Sequence, residues 1–591
     1  MALSAGELRI EVVGREIVGR PVPGRARRSY GPYLRGVPAL VLMSVVLVPA
    51  GLTVRAAFHT PEGYGLGNFV VLGDHAALHA VLNSLIWVAV ALVLVVLGFA
   101  VALASRRTPG LWRVLSPFLV FPFAVAVLVS GAAFRIIFDP TPERGTVTAI
   151  ATALTGDSPV WLGPGLFWLV QVSAFAWTWL GYAASLFRAG LGAIPDDLGR
   201  AVEAENVRGW RRLLAVEVPL LRTITGVVTL TLVVAAVRLF DLVLIVVPGP
   251  MQDDADVLAL NWWHTTNASP DDAGPPAALA LVLFAIVAVV AVVGVRGLRR
   301  PWAMPDRGGL DRAATAIPDP APVPAQRRRG LAIAVPMGLL WAFPALVLVA
   351  TALHSPLAAG LRGWWGRAGI GFDSFGAASN AGLWRALLTT ALIAATATML
   401  VLAVGVITAH LLAWGGLPTW LGRAAMTAFV ILAVTPVQMY AGPLRQVFTD
   451  TGLGGSPLSL AVVHAAAGLP FAVLLLRAAF AAVPPSLIAE AVHGQAGQGW
   501  AIARVSRACR PALVAVAVLE FVLVWNDFIV GFLINGAGSP LSLVLWGEAR
   551  QFATSAGPVA AAAVVSSVVP VVLLLATWPT VVRGLTVGTA P

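Results

Sequence analysis

Lysine is missing altogether from the 591 residues, so the formal charge of +11 rests on 39 arginines. Cysteine occurs once, at Cys509, which excludes an intrachain disulfide and any cysteine cluster for a metal. Charge of either sign is scarce, at 11% of residues. That scarcity, with 58% hydrophobic residues and a mean hydropathy of +0.86, excludes a soluble globular domain, and lipid is the solvent the composition implies. In a soluble protein a pI near 11.1 would suggest nucleic acid; beside membrane spans, arginine is explained first by orientation, so no nucleic-acid partner is expected. A Gly-rich Gly-Lys-Ser/Thr phosphate loop is also missing, so the chain itself is not expected to bind ATP.

What the chain does have is long apolar runs. A spanning helix needs about 20 apolar residues. Such runs fall at 36–57, 81–105, 113–137, 165–188, 220–247 and 275–297, and again at 331–353, 383–412, 422–446, 458–481, 511–535 and 556–582. The expected fold is an all-α polytopic membrane protein of about 12 spans, in two pseudo-symmetric halves of six. Arginines 106, 107, 113, 208, 211, 212, 296, 299, 300, 307 and 327–329 fall in alternate connections, while 248–274 holds five aspartates and no basic residue. The positive-inside rule therefore puts both termini in the cytoplasm. The domains read as a cytoplasmic tail 1–35, a first half 36–298, a Pro- and Arg-rich linker 299–330 and a second half 331–591. The tail has no apolar core with a cleavage site, so it reads as a tail and not a signal peptide.

Two charged stretches interrupt this apolar pattern, at 193–219 and 482–511, each after the fourth span of its set. Pro195 and Pro485, Leu198 and Ile488, Ala201 and Ala491, Val202 and Val492, and Trp210 and Trp500 all lie 290 residues apart, which marks an internal repeat. In the first copy Leu198, Ala201 and Val202 share one helical face and Trp210, Leu213 and Leu214 another. Asp196 and Asp197 follow Pro195 where a helix would begin, and Asn206 sits between the two pieces where a turn is needed. The expectation is a helix–turn–helix with an apolar stripe. The competing reading, a helix lying on lipid headgroups, gives no reason for a matched pair; duplication suggests a matched pair of partners.

These stretches resemble the cytoplasmic coupling motif of ABC importer permeases, Pro-x-x-Leu-x-Glu-Ala-Ala-x-x-Asp-Gly-Ala followed by an Ile-x-Leu-Pro run. The first copy presents Pro195, Leu198, Arg200, Ala201, Glu205, Asn206, Trp210 and Pro219; the second Glu490, Ala491, Ala496 and Trp500. Arg200 replaces the motif's Glu, and Asn206 and Ala496 replace its Gly, so equal coupling in the two halves does not follow. The flanks TWLGYAASLFRAGLGAIPDDL (178–198) and VRLFDLVLIVVPGPM (237–251) resemble the first permease of maltose-type importers. TPVQMYAGPLRQVFTDTGLGGSPLSLAVVH (435–464) and FVLVWNDFIVGFLI (521–534) resemble its partner permease. The resemblance implies a fused, two-in-one carbohydrate permease without enzymatic activity or cofactor. It would work with two cytoplasmic ABC ATPase subunits and an external sugar-binding protein, moving mono- or oligosaccharide by alternating access. The rivals are a fused permease of a ferric-iron or thiamine importer, which would lack the Phe-Asp and Trp-Asn-Asp-Phe signatures, and a proton-coupled carrier, which would not need a repeated coupling segment. A membrane enzyme is weaker still: His264, His410, His464 and His493 are scattered and make no catalytic or metal set.

Charges inside spans are costly and mark candidate sites. Arg238 and Asp241, three apart, either neutralise each other on one helix or serve the substrate path. Asn526 and Asp527 could bond sugar hydroxyls or the facing half, and Glu520 could face a wet cavity or a neighbouring helix. Trp177, Leu180, Gly181 and Ala184 share a face of the fourth span at i, i+3, i+4 and i+7, in the region that lines the sugar site of the resembling subunit. Trp177 is read as stacking on a sugar or as packing, and Gly181 as leaving room for a ring.

Overall fold

The computed structural model describes residues 31–106, 108–194, 213–298, 324–366, 370–488, 497–535, 540–550 and 552–587. It is a polytopic all-α protein; the strands among these residues are a two-residue ladder pairing His59–Thr60 with Gly63–Tyr64. The first half comprises α1 (Gly31–Phe58), α2 (His75–Ser105), α3 (Pro109–Val120), α4 (Val127–Ile137), α5 (Thr146–Thr155), α6 (Phe167–Gly192), α7 (Arg222–Val237), α8 (Asp241–Val246), α9 (Leu258–Ala268) and α10 (Gly274–Leu298). The second comprises α11 (Pro324–Ala352), α12 (Leu383–Trp414), α13 (Thr419–Val434), α14 (Gln438–Asp450), α15 (Pro457–Ala481), α16 (Gln498–Ala508), α17 (Arg510–Trp525), α18 (Ile529–Ile534), α19 (Leu541–Arg550) and α20 (Phe552–Val587). Helices dominate because each keeps its backbone hydrogen bonds within itself, as a lipid environment demands.

Seven of these helices are long and apolar enough to cross a membrane, and three bent pairs raise the number to ten among the described residues. This is fewer than the twelve expected, for two physical reasons. Helix α6 takes up most of 165–188 but is diluted by Gln171 and three tryptophans and is largely buried inside the bundle. The expected span 220–247 is cut into two helices, each too short to cross by itself, and other spans are bent or interrupted but still among the ten. The segment 113–137 bends by 106° between the arms Pro109–Ala124 and Val127–Ile137, and 422–446 bends by 84° between α13 and α14, at Pro436. Proline removes a helix donor and disfavours helical geometry in the residue before it. The segments 220–247 and 511–535 break as well, into α7 with α8 and α17 with α18.

The two halves repeat each other in packing. In the first, α2 lies against α6 and α7, and α7 against α10; in the second, α12 lies against α15 and α17, and α17 against α20. The repeat reaches single hydrogen bonds. The Ser84 hydroxyl on α2 accepts the amide N–H of Leu258, the first residue of α9, at 3.0 Å. The Thr390 hydroxyl on α12 accepts that of Leu541, the first residue of α19, at 2.8 Å. Each hydroxyl satisfies a helix-start donor that would otherwise stay unpaired.

The first helices are exchanged. Besides α10 of its own half, α1 packs on α12, α14 and α15 of the second half, and α11, besides α20, packs on α3 and α4 of the first. The Trp177 indole on α6 donates to the Trp341 carbonyl of α11 at 2.7 Å and fastens one of these exchanges.

Candidate functional site at the paired helix breaks

The breaks in spans five and eleven match residue for residue. Helix α7 ends at Val237, three residues follow (Arg238, Leu239, Phe240), and α8 begins at Asp241. Helix α17 ends at Trp525, three residues follow (Asn526, Asp527, Phe528), and α18 begins at Ile529. The two third residues, Phe240 and Phe528, meet between the halves with ring centroids 6.3 Å apart. Arg238 and Asp241 are therefore not on one helix, and the expected neutralisation along a helical face gives way to contacts between the halves.

At each break a carboxylate serves a short helix. The Leu242 amide donates to Asp241 Oδ1 at 3.1 Å, and the Val530 amide to Asp527 Oδ2 at 2.9 Å. Acids are favoured at helix starts by the exposed N–H groups and the helix dipole. Arg238 lies within Coulombic reach of Asp527 and of buried Tyr440, and Asp241 within reach of Asp527. His464 Nε2 on α15 is 3.8 Å from Asp527 Oδ2. Asn526 Nδ2 donates to the Ala124 carbonyl, at the bend between α3 and α4, at 2.8 Å; of the two roles open to it, it occupies the one toward the facing half. Glu520, one turn and more before the break, is buried with its carboxylate against Gly468 of α15, so it faces a neighbouring helix and not lipid. Broken helices that put charged and polar groups mid-span are where transporters place substrate and ion sites.

Around this cluster lies a set of rings from both halves that composition alone did not single out. Phe240 and Trp263 come from the first half, and Phe528, Phe532 and Trp546 from the second; Phe528 stacks on Phe532 at 4.9 Å and Trp263 lies 5.7 Å from Phe532. Phe240 and Phe528 belong to the Phe-Asp and Trp-Asn-Asp-Phe signatures, but Trp263, Phe532 and Trp546 lie outside them, so the sequence did not mark the five as one cluster.

The α6 face is packed. Trp177, Gly181 and Ala184 are buried and Leu180 is half-buried. Trp177 meets Phe121 edge-on at 5.7 Å and Phe134 at 6.0 Å. The space beside Gly181 is filled by the Leu119 carbonyl of α3, against which an added Cβ would collide. Here the glycine admits a helix backbone, not a ring.

No family model matches the chain. Among curated proteins it is similar to the alpha-glucoside transport system permease protein AglG of Rhizobium meliloti, 32% identical over 221 residues that make up 36% of this chain and 57% of AglG. It is similar to the alpha-glucoside permease AglF of the same organism, 26% identical over 275 residues, 44% of this chain and 81% of AglF. The osmoprotective compounds uptake permease protein GgtD of Synechocystis is 30% identical over 215 residues, 35% of this chain and 71% of GgtD. The chain belongs to the family of carbohydrate ABC importer permeases. Each relative matches less than half of it, as a single permease would match two fused into one, although the chain spans little more than half the length of AglG.

In this permease the residues expected from sequence to couple to the ATPase, Pro195, Leu198, Arg200, Ala201, Glu205, Asn206, Trp210, Glu490, Ala491 and Ala496, lie outside the described residues. Their flanks are described. Pro219 sits in the short helix Val218–Leu220, which continues from the helical turn Leu213–Glu217. Trp500 lies on α16 beneath the Arg504 guanidinium, 5.0 Å from the ring centre.

At the end of the bundle away from these segments, between α8 and α9, Asp256 is buried and accepts a hydrogen bond from Asn261 Nδ2 at 3.0 Å. His264 Nδ1 lies 3.8 Å from the same carboxylate. Burial pushes the Asp256 carboxyl from 3.8 up to about 7, against the pull of the Asn261 bond. The folded state thus keeps a proton that the unfolded chain releases, so this group's stabilising contribution is full at low pH and is lost as pH rises from about 4 to about 7. Asp256→Asn is expected to raise the thermal unfolding midpoint at pH 8 and to leave it nearly unchanged at pH 4. A midpoint at pH 8 equal to or below wild type would contradict this.

Proposed function

We propose that this chain is the fused permease of an ATP-driven sugar importer, taking mono- or oligosaccharide from an external binding protein and releasing it into the cytoplasm by alternating access. The observation that carries the reading is the pairing of the breaks: Arg238 and Asp241 from one half and Asn526 and Asp527 from the other lie where the halves meet. Rocking of one half against the other would open such a seam to each side in turn. Relatives named for alpha-glucosides support a glucoside-like cargo, and the aromatic rings beside the cluster offer the flat apolar faces that sugar rings stack on. On this reading both termini and both coupling segments lie in the cytoplasm. Two separate ATPase subunits dock there, one on each segment.

The test is reconstitution of the purified chain in liposomes with its ATPase subunits and binding protein. Expected are uptake of labelled glucoside that requires ATP, and a native mass of one permease chain with two ATPase subunits and one binding protein. Uptake driven by a proton gradient without ATPase subunits would favour a secondary carrier. Iron or thiamine uptake without sugar uptake would favour the other importer class, and two permease chains per assembly would defeat the fusion reading.

A further inference from the structure

The first coupling segment returns to the membrane through residues Leu213–Glu217, wound as one π-helical turn, and then Val218–Leu220. At the last residue of that turn the Glu217 carboxylate is buried, its side chain 7% exposed, and Arg106 Nη1 reaches its Oε1 at 2.7 Å. Arg106 is the residue that ends α2. Helix α2 packs on both legs of the coupling segment, α6 going in and α7 coming out. The second half has no such pair among its described residues. There the corresponding end of α12 is held by a neutral bond, Trp414 Nε1 to the Phe480 carbonyl at 2.9 Å, and Cys509 Sγ lies 3.5 Å from the Ala479 carbonyl.

We propose that the Arg106–Glu217 pair is a positioning joint that carries movement of the first coupling segment into α2. The proposal rests on the transport reading above and deepens it. The geometry suits the task. A charge-assisted bond of 2.7 Å is short and directional, and one partner is shielded from water, so pulling the returning leg moves the end of α2 with it. The first coupling segment carries Arg200 where the family motif has its acid. A charged joint in this half, and none described in the other, makes the halves unequal in how they receive ATPase motion. The second half would transmit through backbone contacts between α12, α15 and α17.

The test uses the reconstituted complex and reads sugar moved per ATP hydrolysed, which a merely structural role would not change in complexes that assemble. Glu217→Gln and Arg106→Gln are each expected to lower that ratio by about three- to thirtyfold, the range of coupling changes from single substitutions along a network. The charge-reversed pair, Arg106→Glu with Glu217→Arg, is expected to recover most of it. An unchanged ratio in the single variants, or a reversed pair no better than either, overturns the proposal. Should the neutral variants fail to assemble, Arg106→Lys and Glu217→Asp keep the charges but change the reach. A fall in the ratio with these supports the joint, and a wild-type ratio overturns it. Failure of the wild-type complex to show ATP-driven uptake would defeat the transport reading itself and is separable from these outcomes.

Discussion

Gly181→Leu is expected to remove most of the assembled permease from the membrane, and Gly181→Ala to reduce it strongly. Gly181 is buried in α6, and a Cβ there would run into the Leu119 carbonyl group of α3 and crowd the Val120 amide. A side chain in that position could rotate away; a backbone carbonyl inside a helix can yield only if the whole helix moves. Overpacking of this kind costs about 1–3 kcal/mol even where side chains can adjust, against a total stability of roughly 5–15 kcal/mol for ordinary proteins. The displaced helix leads directly into the bend at Phe121–Ala124, whose last carbonyl accepts the Asn526 bond, so the damage would spread to the seam between the halves. Gly405→Ala on α12 is the control, because a Cβ there meets Leu469, Ala472 and Leu476 only at ordinary contact distance. Yield of monodisperse protein by size exclusion separates the cases. Normal yield of the Gly181→Leu protein with sugar uptake lost would return the glycine to the role its sequence suggests, as room for a sugar ring.

Removing Arg238 is the second change expected to have a large effect. Arg238→Met leaves Asp241 and Asp527 within Coulombic reach of each other without the guanidinium that faces Asp527. The guanidinium acts on Asp527 through the field and not through a contact ion pair, so removing it leaves two carboxylates near each other uncompensated, and neutralising Asp527 as well relieves them. Uptake per assembled complex should therefore fall by about tenfold in Arg238→Met, a change a unit charge near a protein surface can supply, and Arg238→Met with Asp527→Asn should recover part of the loss. Should the single variant transport as wild type does, the charges at the breaks would be bystanders. A double variant no better than the single would mean that Arg238 acts on the cargo and not on Asp527.

The repeat, the polytopic helical fold and the polar residues of spans five and eleven were legible in the sequence because each is a matter of spacing or composition. What composition could not convey was direction. The runs 113–137 and 422–446 are apolar enough to be read as straight spans, and their bends, the second at Pro436, appear only when the backbone is traced. Arg238 and Asp241 read as neighbours on a helix because three residues apart means one face only while the helix continues, and here it stops between them. Asn526 was open between two roles, and its partner, the Ala124 carbonyl 402 residues away, has no side-chain signature to find. Gly181 was read from the sequence as leaving room for a sugar ring, and the structure puts the α3 backbone beside it. That contact follows from packing between elements, which no local pattern encodes.

The exchanged first helices bear on how such a chain is made. Helix α1 ends at Phe58, and the earliest of its second-half partners begins at Leu383, so 325 positions separate it from that cover (383 − 58). Until those partners are inserted, α1 rests against α10 of its own half and otherwise against lipid, which a helix this apolar tolerates. Neither half is complete by itself, since each lacks the helix that the other lends it. In two separate chains this exchange would wait on an encounter in the plane of the membrane. In one chain the second half arrives at a high effective concentration set by the tether, so equal amounts of the two halves and the order of their assembly are written into a single act of synthesis.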